Sequence, residues 1–257
     1  MDCKIVFFDV DGTLINYEDG CIESTTKNAL HKLKNKGIRL VAATGRPLSM
    51  CHSLQELGIE TFITANGAYV QHKDKIIYAS PITQEIVQSV KAFADDNHHS
   101  LSFFTDQLSM NGMHQPKTLQ AMKETLSLVE YPPIDDNILN KQVYLMCLYV
   151  NSQDEQKYMK QFPHLKFERW HPMITNVLQV EVSKSIAVEA VLQYFKLRPE
   201  EALAFGDGDN DIEMFKQVGY GIAMGNGSIT LQKIADMITM KSTEDGIDYA
   251  LRKLQLI

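Results

Sequence analysis

Two aspartates, Asp9 and Asp11, stand two residues apart in the stretch Asp9-Val10-Asp11-Gly12-Thr13, directly after the apolar run KIVFFD. Two acids that close together cannot both fold back into a core. They need a cation, hydrogen bonds or raised pKa values. Gly12 lets the chain turn away without a Cβ penalty. The plainer alternative is that one Asp caps a helix and the other is solvated. A second acidic group, Gly206-Asp207-Gly208-Asp209-Asn210-Asp211, follows another apolar run, ALAF. It could be a calcium-like loop or a turn with a helix cap. The EF-hand pattern fails, because the twelfth position counted from Asp207 is Val218 rather than Glu.

Thr44-Gly45-Arg46 ends a third apolar run, RLVAA. A hydroxyl, a glycine amide and a following helix N-terminus together suit a phosphate oxygen. A strand-to-helix turn explains the same tripeptide. Lys184 sits at a strand-to-helix junction, where a lone lysine is ordinarily solvated. Neither a GxxxxGK[ST] loop nor a GxGxxG is present, which excludes a Walker-type nucleotidase and a standard dinucleotide site.

These residues need elements to hold them. Residues 4–9, 39–44 and 61–65 read as buried-type strands, with helices predicted over 24–36 and 47–57 between them. Gly37 and Gly58 follow those helices as stops. The alternation indicates a parallel sheet with crossover helices. Residues 68–71 and 76–79 flank a polar turn and read as a hairpin. Helices are then expected over 83–97, 116–129 and 153–162, with strands over 101–105, 142–150, 165–170 and 175–182. The first rhythm returns with a helix over 184–195, a strand over 202–205, a helix over 209–217 and strands over 220–224 and 237–240. Ser242-Thr243-Glu244-Asp245 resembles a capping box before a last helix. The expectation is an α/β, Rossmann-like core with a parallel sheet, built from residues 1–82 and 179–257. An α/β domain over 83–178 is inserted into it, the tolerated route for adding a domain.

Taken together, DxDGT, TGR, Lys184 and GDxxND, in that order, resemble the haloacid dehalogenase (HAD) superfamily of phosphohydrolases. The likeness is to its Cof-type branch, whose inserted α/β cap is of type IIB. Thr64-Ala65-Asn66-Gly67-Ala68, Gly219–Gly225 and Glu244-Asp245-Gly246 extend it across both core segments. Ser185 departs from the branch, where Gly is common after the lysine, and Gly227 departs where Ala is common. The resemblance implies Asp9 as nucleophile, forming an aspartyl-phosphate. It implies Asp11 as general acid and then general base. It also implies a magnesium ion on the Asp9 carboxylate, the Asp11 backbone carbonyl and Asp207, with Asp211 a further ligand through water or an acid behind the first ligands. Thr44, Gly45, Arg46, Lys184 and Asn210 would hold the phosphate. The implied activity is hydrolysis of small organic phosphomonoesters such as sugar phosphates or phosphorylated cofactors. The rivals are a phosphomutase or phosphotransferase on the same scaffold, and a non-catalytic phosphate-ligand sensor.

The composition fits this reading. Of 257 residues, 44% are hydrophobic and the net charge is −7, from 25 basic and 32 acidic residues. That balance argues against a general nucleic-acid binder. No apolar run is long enough for a membrane span, and the first residues lack the features of a signal peptide. Cys3, Cys21, Cys51 and Cys147 are widely spaced, which suits reduced thiols in a cytoplasmic protein. The expected partner is a small-molecule phosphate ester, with the chain as a monomer or small homo-oligomer. In the inserted segment, Asp106, Asn111, Arg169 and His171 are candidate substrate contacts, and His98-His99 is a less specific pair.

Overall fold

The computed structural model describes residues 2–18 and 20–257. It divides into two compact units. The first comprises Met1–Arg46, Met50–Ala79 and Ser183–Ile257. Its elements are β1 (Ile5–Asp9), α1 (Ser24–Asn35), β2 (Arg39–Ala43), α2 (His52–Gln55), β3 (Thr61–Thr64), β4 (Tyr69–His72) and β5 (Lys75–Ala79). After the second unit the chain returns for α6 (Lys184–Phe195), β11 (Ala202–Gly206), α7 (Ile212–Phe215), β12 (Tyr220–Ala223), α8 (Ile229–Ile234), β13 (Met237–Ile238) and α9 (Gly246–Lys253).

The sheet order is β13-β12-β11-β1-β2-β3-β4-β5. From β13 to β3 every pairing is parallel, and the β3–β4–β5 hairpins are antiparallel. β1 is buried along its whole length, as its unbroken apolar sequence requires. It pairs with β2 on one side and with the remote β11 on the other. The order therefore reverses at β1, and in open α/β sheets ligand crevices form beyond the carboxyl ends at such a switch point. Asp9 is the last residue of β1.

The second unit comprises Pro47–Ser49 and Ser80–Val182. Its elements are α3 (Gln84–Asp96), β6 (Ser100–Phe104), β7 (Leu108–Met110), α4 (Pro116–Leu126), β8 (Leu145–Tyr149), α5 (Ser152–Gln161), β9 (Leu165–His171) and β10 (Ile174–Gln179). The strands form one antiparallel sheet in the order β7-β6-β8-β10-β9. Val87, Val90 and Ala94 of α3 share a core with Leu101, Phe103, Met146, Leu148 and Tyr158.

Three local expectations are corrected. The continuous helix over 47–57 is instead a 3₁₀ turn, Leu48–Met50, followed by the single turn of α2. Cys51 interrupts them at φ −107°, ψ 5°, with its side chain fully buried. The helix over 209–217 is likewise split into a 3₁₀ turn, Asp209–Asp211, and α7. No capping box forms at 242–245: Asp245 sits at φ +56°, and its carboxylate accepts a hydrogen bond from the Thr25 hydroxyl of α1. All four cysteines are free thiols, and Cys3, Cys51 and Cys147 are buried. Among the described residues no helix is long and apolar enough to cross a membrane.

Candidate active site

Asp9 is 6% exposed at the end of β1. Lys184, the first residue of α6, reaches it with Nζ 2.6 Å from Asp9 Oδ1, and the same nitrogen lies 2.6 Å from Asp211 Oδ1. The lysine is buried, contrary to the ordinary state of a lone lysine. Burial alone would lower its pKa, but Asp211 and Asp9 more than offset that and hold it above the usual range. The second oxygen of Asp211 accepts hydrogen bonds from the backbone N–H groups of Asp207 and Gly208, both at 3.0 Å. Asp207 Oδ1 accepts the Thr13 hydroxyl at 3.1 Å. Residues about 200 positions apart are thus joined through β1 and its neighbour β11.

Asp9, Asp207 and Asp211 each bring one carboxylate oxygen within 4.8 Å of the others. Lys184 is the cation bonded within this group, so the negative charge is not balanced. Burial, with the nearby Asp211 carboxylate adding to it, pushes the Asp9 carboxyl well above the usual range against the pull of Lys184. The same two causes raise Asp207 to about 7. A buried, all-oxygen donor set with surplus negative charge fits a hard divalent cation.

Gly12 turns the chain out of the strand at φ +88°. A Cβ there would come within 2.3 Å of both Asp207 Oδ2 and Tyr17 Cε2, so the loop packs directly on the acidic group. Tyr17 donates its phenol hydrogen to the Asp11 carbonyl at 2.8 Å. Asn226 donates to the Gly12 carbonyl at 2.8 Å and accepts from the Ser242 N–H at 2.9 Å, tying the loop to the turn that follows β13.

The other sequence candidates fall differently. Thr44 is buried, and its hydroxyl accepts the Arg46 N–H at 3.0 Å, leaving its own proton free to donate. Arg46, expected at the phosphate, is paired with Asp11: Nε donates to Oδ2 at 3.0 Å and Nη2 to Oδ1 at 2.5 Å. A planar guanidinium matches a carboxylate bidentately, and Asp11 lies within its reach. The Asp11 carboxylate is consequently turned to Arg46, and only its backbone carbonyl remains as a ligand for an ion. Asn210 is exposed, folded back against Gly208.

In the second unit, Arg169 donates to Glu155 at 2.9 Å and to the carbonyls of Val150, His171 and Pro172. Asn111 bridges Asp95, His99 and the Leu101 N–H. Asp106 accepts from the Thr105 hydroxyl, and His171 sits 3.3 Å from Glu124. His99 contacts the Tyr158 hydroxyl at 2.8 Å. These side chains, read as candidate substrate contacts or a histidine pair, are engaged inside their own unit. Sequence reasoning missed Tyr17 and Asn226 as site residues. Thr13 carried a signal, since its hydroxyl closes the DxDGT string.

The sequence matches the haloacid dehalogenase-like hydrolase family over residues 6–251, and the chain belongs to that family. It is a phosphohydrolase of the Cof-type branch, with an α/β fold built on a mostly parallel sheet. It is 33% identical to YkrA of Bacillus subtilis (strain 168), a provisionally named phosphatase, over 100% of both chains. A crystal structure of a hypothetical protein from Geobacillus kaustophilus HTA426 superposes with a TM-score of 0.92 at 34% identity, covering 99% of this chain and 100% of that one. The HAD subclass IIB sugar phosphatase BT4131 superposes with a TM-score of 0.86 at 30% identity, covering 99% and 100%.

Proposed function

We propose that the protein is a magnesium-dependent phosphatase of small organic phosphomonoesters, acting through an aspartyl-phosphate on Asp9. The observation that carries this is Lys184 held between Asp9 and Asp211, beside Asp207, at the switch point of the sheet. Among relatives, BT4131 is named a sugar phosphatase and YitU of Bacillus subtilis a 5-amino-6-(5-phospho-D-ribitylamino)uracil phosphatase. Both names describe small phosphate esters, which supports the substrate class.

The Asp9 carboxylate attacks phosphorus as the ester oxygen leaves, and Asp11 gives that oxygen a proton. Asp11 then takes a proton from the water that attacks the acyl phosphate. Phosphate departs and Asp9 is restored. Lys184 orients Asp9 and offsets its charge. The Thr44 hydroxyl, the Gly45 amide, Asn210 and Lys184 hold the phosphoryl oxygens, so catalysis is mostly positioning and electrostatics. Arg46, which the sequence places at the phosphate, stands on Asp11 and aims its carboxylate. Magnesium would rest on the Asp9 carboxylate, the second lone pair of the Asp11 carbonyl and Asp207, with Asp211 behind them, and would supply positive charge between nucleophile and phosphate.

The test is release of inorganic phosphate from a panel of about a hundred phosphorylated metabolites, with magnesium and with a chelator. Magnesium-dependent release is expected. Transfer to an acceptor sugar without release would make the protein a mutase or transferase. Binding without turnover would make it a sensor.

A further inference from the structure

The turn Ala65–Gly67 is strained and anchored on both sides. Ala65, Asn66 and Gly67 follow one another at φ 49°, 54° and 100°. Left-handed backbone is disfavoured for residues with a Cβ, and such outliers persist where surroundings enforce them. The enforcing contacts are specific. Ala65 N–H donates to the Arg46 carbonyl and Asn66 N–H to the Thr44 carbonyl, both at 3.2 Å. A Cβ on Gly67 would lie 2.3 Å from the Ser183 carbonyl oxygen and 3.0 Å from the Lys184 nitrogen. One turn therefore braces both Thr44-Gly45-Arg46 and the start of the helix that carries Lys184.

Inside this brace the Asn66 side chain lies against Gly45: a Cβ there would meet Asn66 Oδ1 at 3.0 Å and Nδ2 at 3.8 Å. The residue is only 8% exposed. Among the described residues, neither its side-chain amide nor the Gly45 N–H makes a hydrogen bond. An amide with no protein partner that still reaches solvent can exchange water for an oxygen of a bound ligand. The amide can turn end for end, so its N–H₂ can face outward as readily as its oxygen.

We propose that Asn66 is a substrate-binding residue whose side-chain amide donates to an oxygen of the phosphoryl group, beside the Gly45 N–H. The inference rests on the phosphatase reading above. It separates two reasons for an asparagine here, since asparagine also tolerates left-handed backbone better than most residues. Glycine keeps that tolerance and removes the amide. Aspartate keeps the shape and replaces the donor with negative charge.

The experiment is calorimetric titration of inorganic phosphate into wild type, Asn66→Gly and Asn66→Asp at saturating magnesium, with melting curves for each. Asn66→Gly is expected to melt at or above the wild-type temperature and to bind phosphate about tenfold more weakly, the size of one hydrogen bond to an anion. Asn66→Asp is expected to bind more weakly still. Phosphate binding by a folded Asn66→Gly at wild-type strength overturns the proposal and leaves Asn66 as a turn residue alone. Failure of the wild type itself to bind phosphate overturns the phosphatase reading, and the role of Asn66 with it.

Discussion

The two units both bury charged and polar side chains, and they use them in opposite ways. In the second unit charge meets charge inside the unit, although Ser109 Oγ, Arg169 Nη2 and Thr175 Oγ1 are buried without a hydrogen-bond partner. Arg169 meets buried Glu155 and three carbonyls, and Asn111 satisfies a carboxylate, a carbonyl and an N–H. In the first unit Lys184 bonds two of three clustered carboxylates, Asp9 and Asp211, and both Asp9 and Asp207 are held above their ordinary pKa by burial. Residue type does not distinguish the two places. Unbalanced charge at the carboxyl ends of parallel strands does, because it leaves bonds for a ligand to complete.

The largest effect that would test this contrast is at Asp9. Asp9→Asn should lower phosphate release by about 10³-fold or more while the melting temperature holds, since it removes the proposed nucleophile and a surplus buried charge. Retention of more than a few per cent of turnover would remove Asp9 from the mechanism. Lys184→Ala should cost about 10²-fold in kcat/KM. It should also lower stability, because the carboxylates lose their one bonded cation. The matching substitution in the second unit, Arg169→Ala, should cost about 2–4 kcal/mol in denaturant unfolding by stranding Glu155, with kcat within about threefold of wild type. A large loss of kcat in a folded Arg169→Ala protein would erase the distinction between the units.

Metal should act on one unit only, and with a definite pH dependence. Asp9 and Asp207 bind protons more tightly folded than unfolded. The stability these two carboxyls contribute without metal is therefore fullest below the unfolded value of 3.8; the Asp207 part is lost as pH rises through about 7, and the Asp9 part as pH rises above the usual carboxylate range. Magnesium competes with those protons, so its rise in melting temperature should be larger at pH 8 than at pH 5. An equal rise at both values would contradict the placement of the ion on these carboxylates. The smallest effect is expected at Tyr17→Phe. It removes one neutral hydrogen bond from the Asp11 carbonyl and should change KM by no more than about fivefold.

Much of the first unit was legible in the sequence because its signals are local. Lys184–Phe195 is the helix that the spacing predicts, and β1 follows from an unbroken apolar run ending in Asp9. β7 was not legible: Leu108–Met110 is three residues long and exists through its pairing with β6. α8 is a helix of six residues between glycine and a short edge strand, with too few turns to show a period. At the site, the acids announced themselves by spacing. The partner of Arg46 did not, since 35 residues separate it from Asp11 and only the fold brings them together. Tyr17 gives no signal either, because a turn around Gly12 creates its contact.

The strand that carries Asp9 sits between a neighbour close in sequence and one nearly two hundred residues away. On the β11 side, Phe8 stacks on Phe205 with ring centroids 5.3 Å apart. During synthesis, β1 and β2 can meet early, but the other edge of β1 has nothing to pair with until residues 202–206 leave the ribosome. The order of emergence leaves the central strand of the sheet with an open, apolar edge until β11 is made. Completion of the sheet thus waits on the same long-range pairing that assembles the acids.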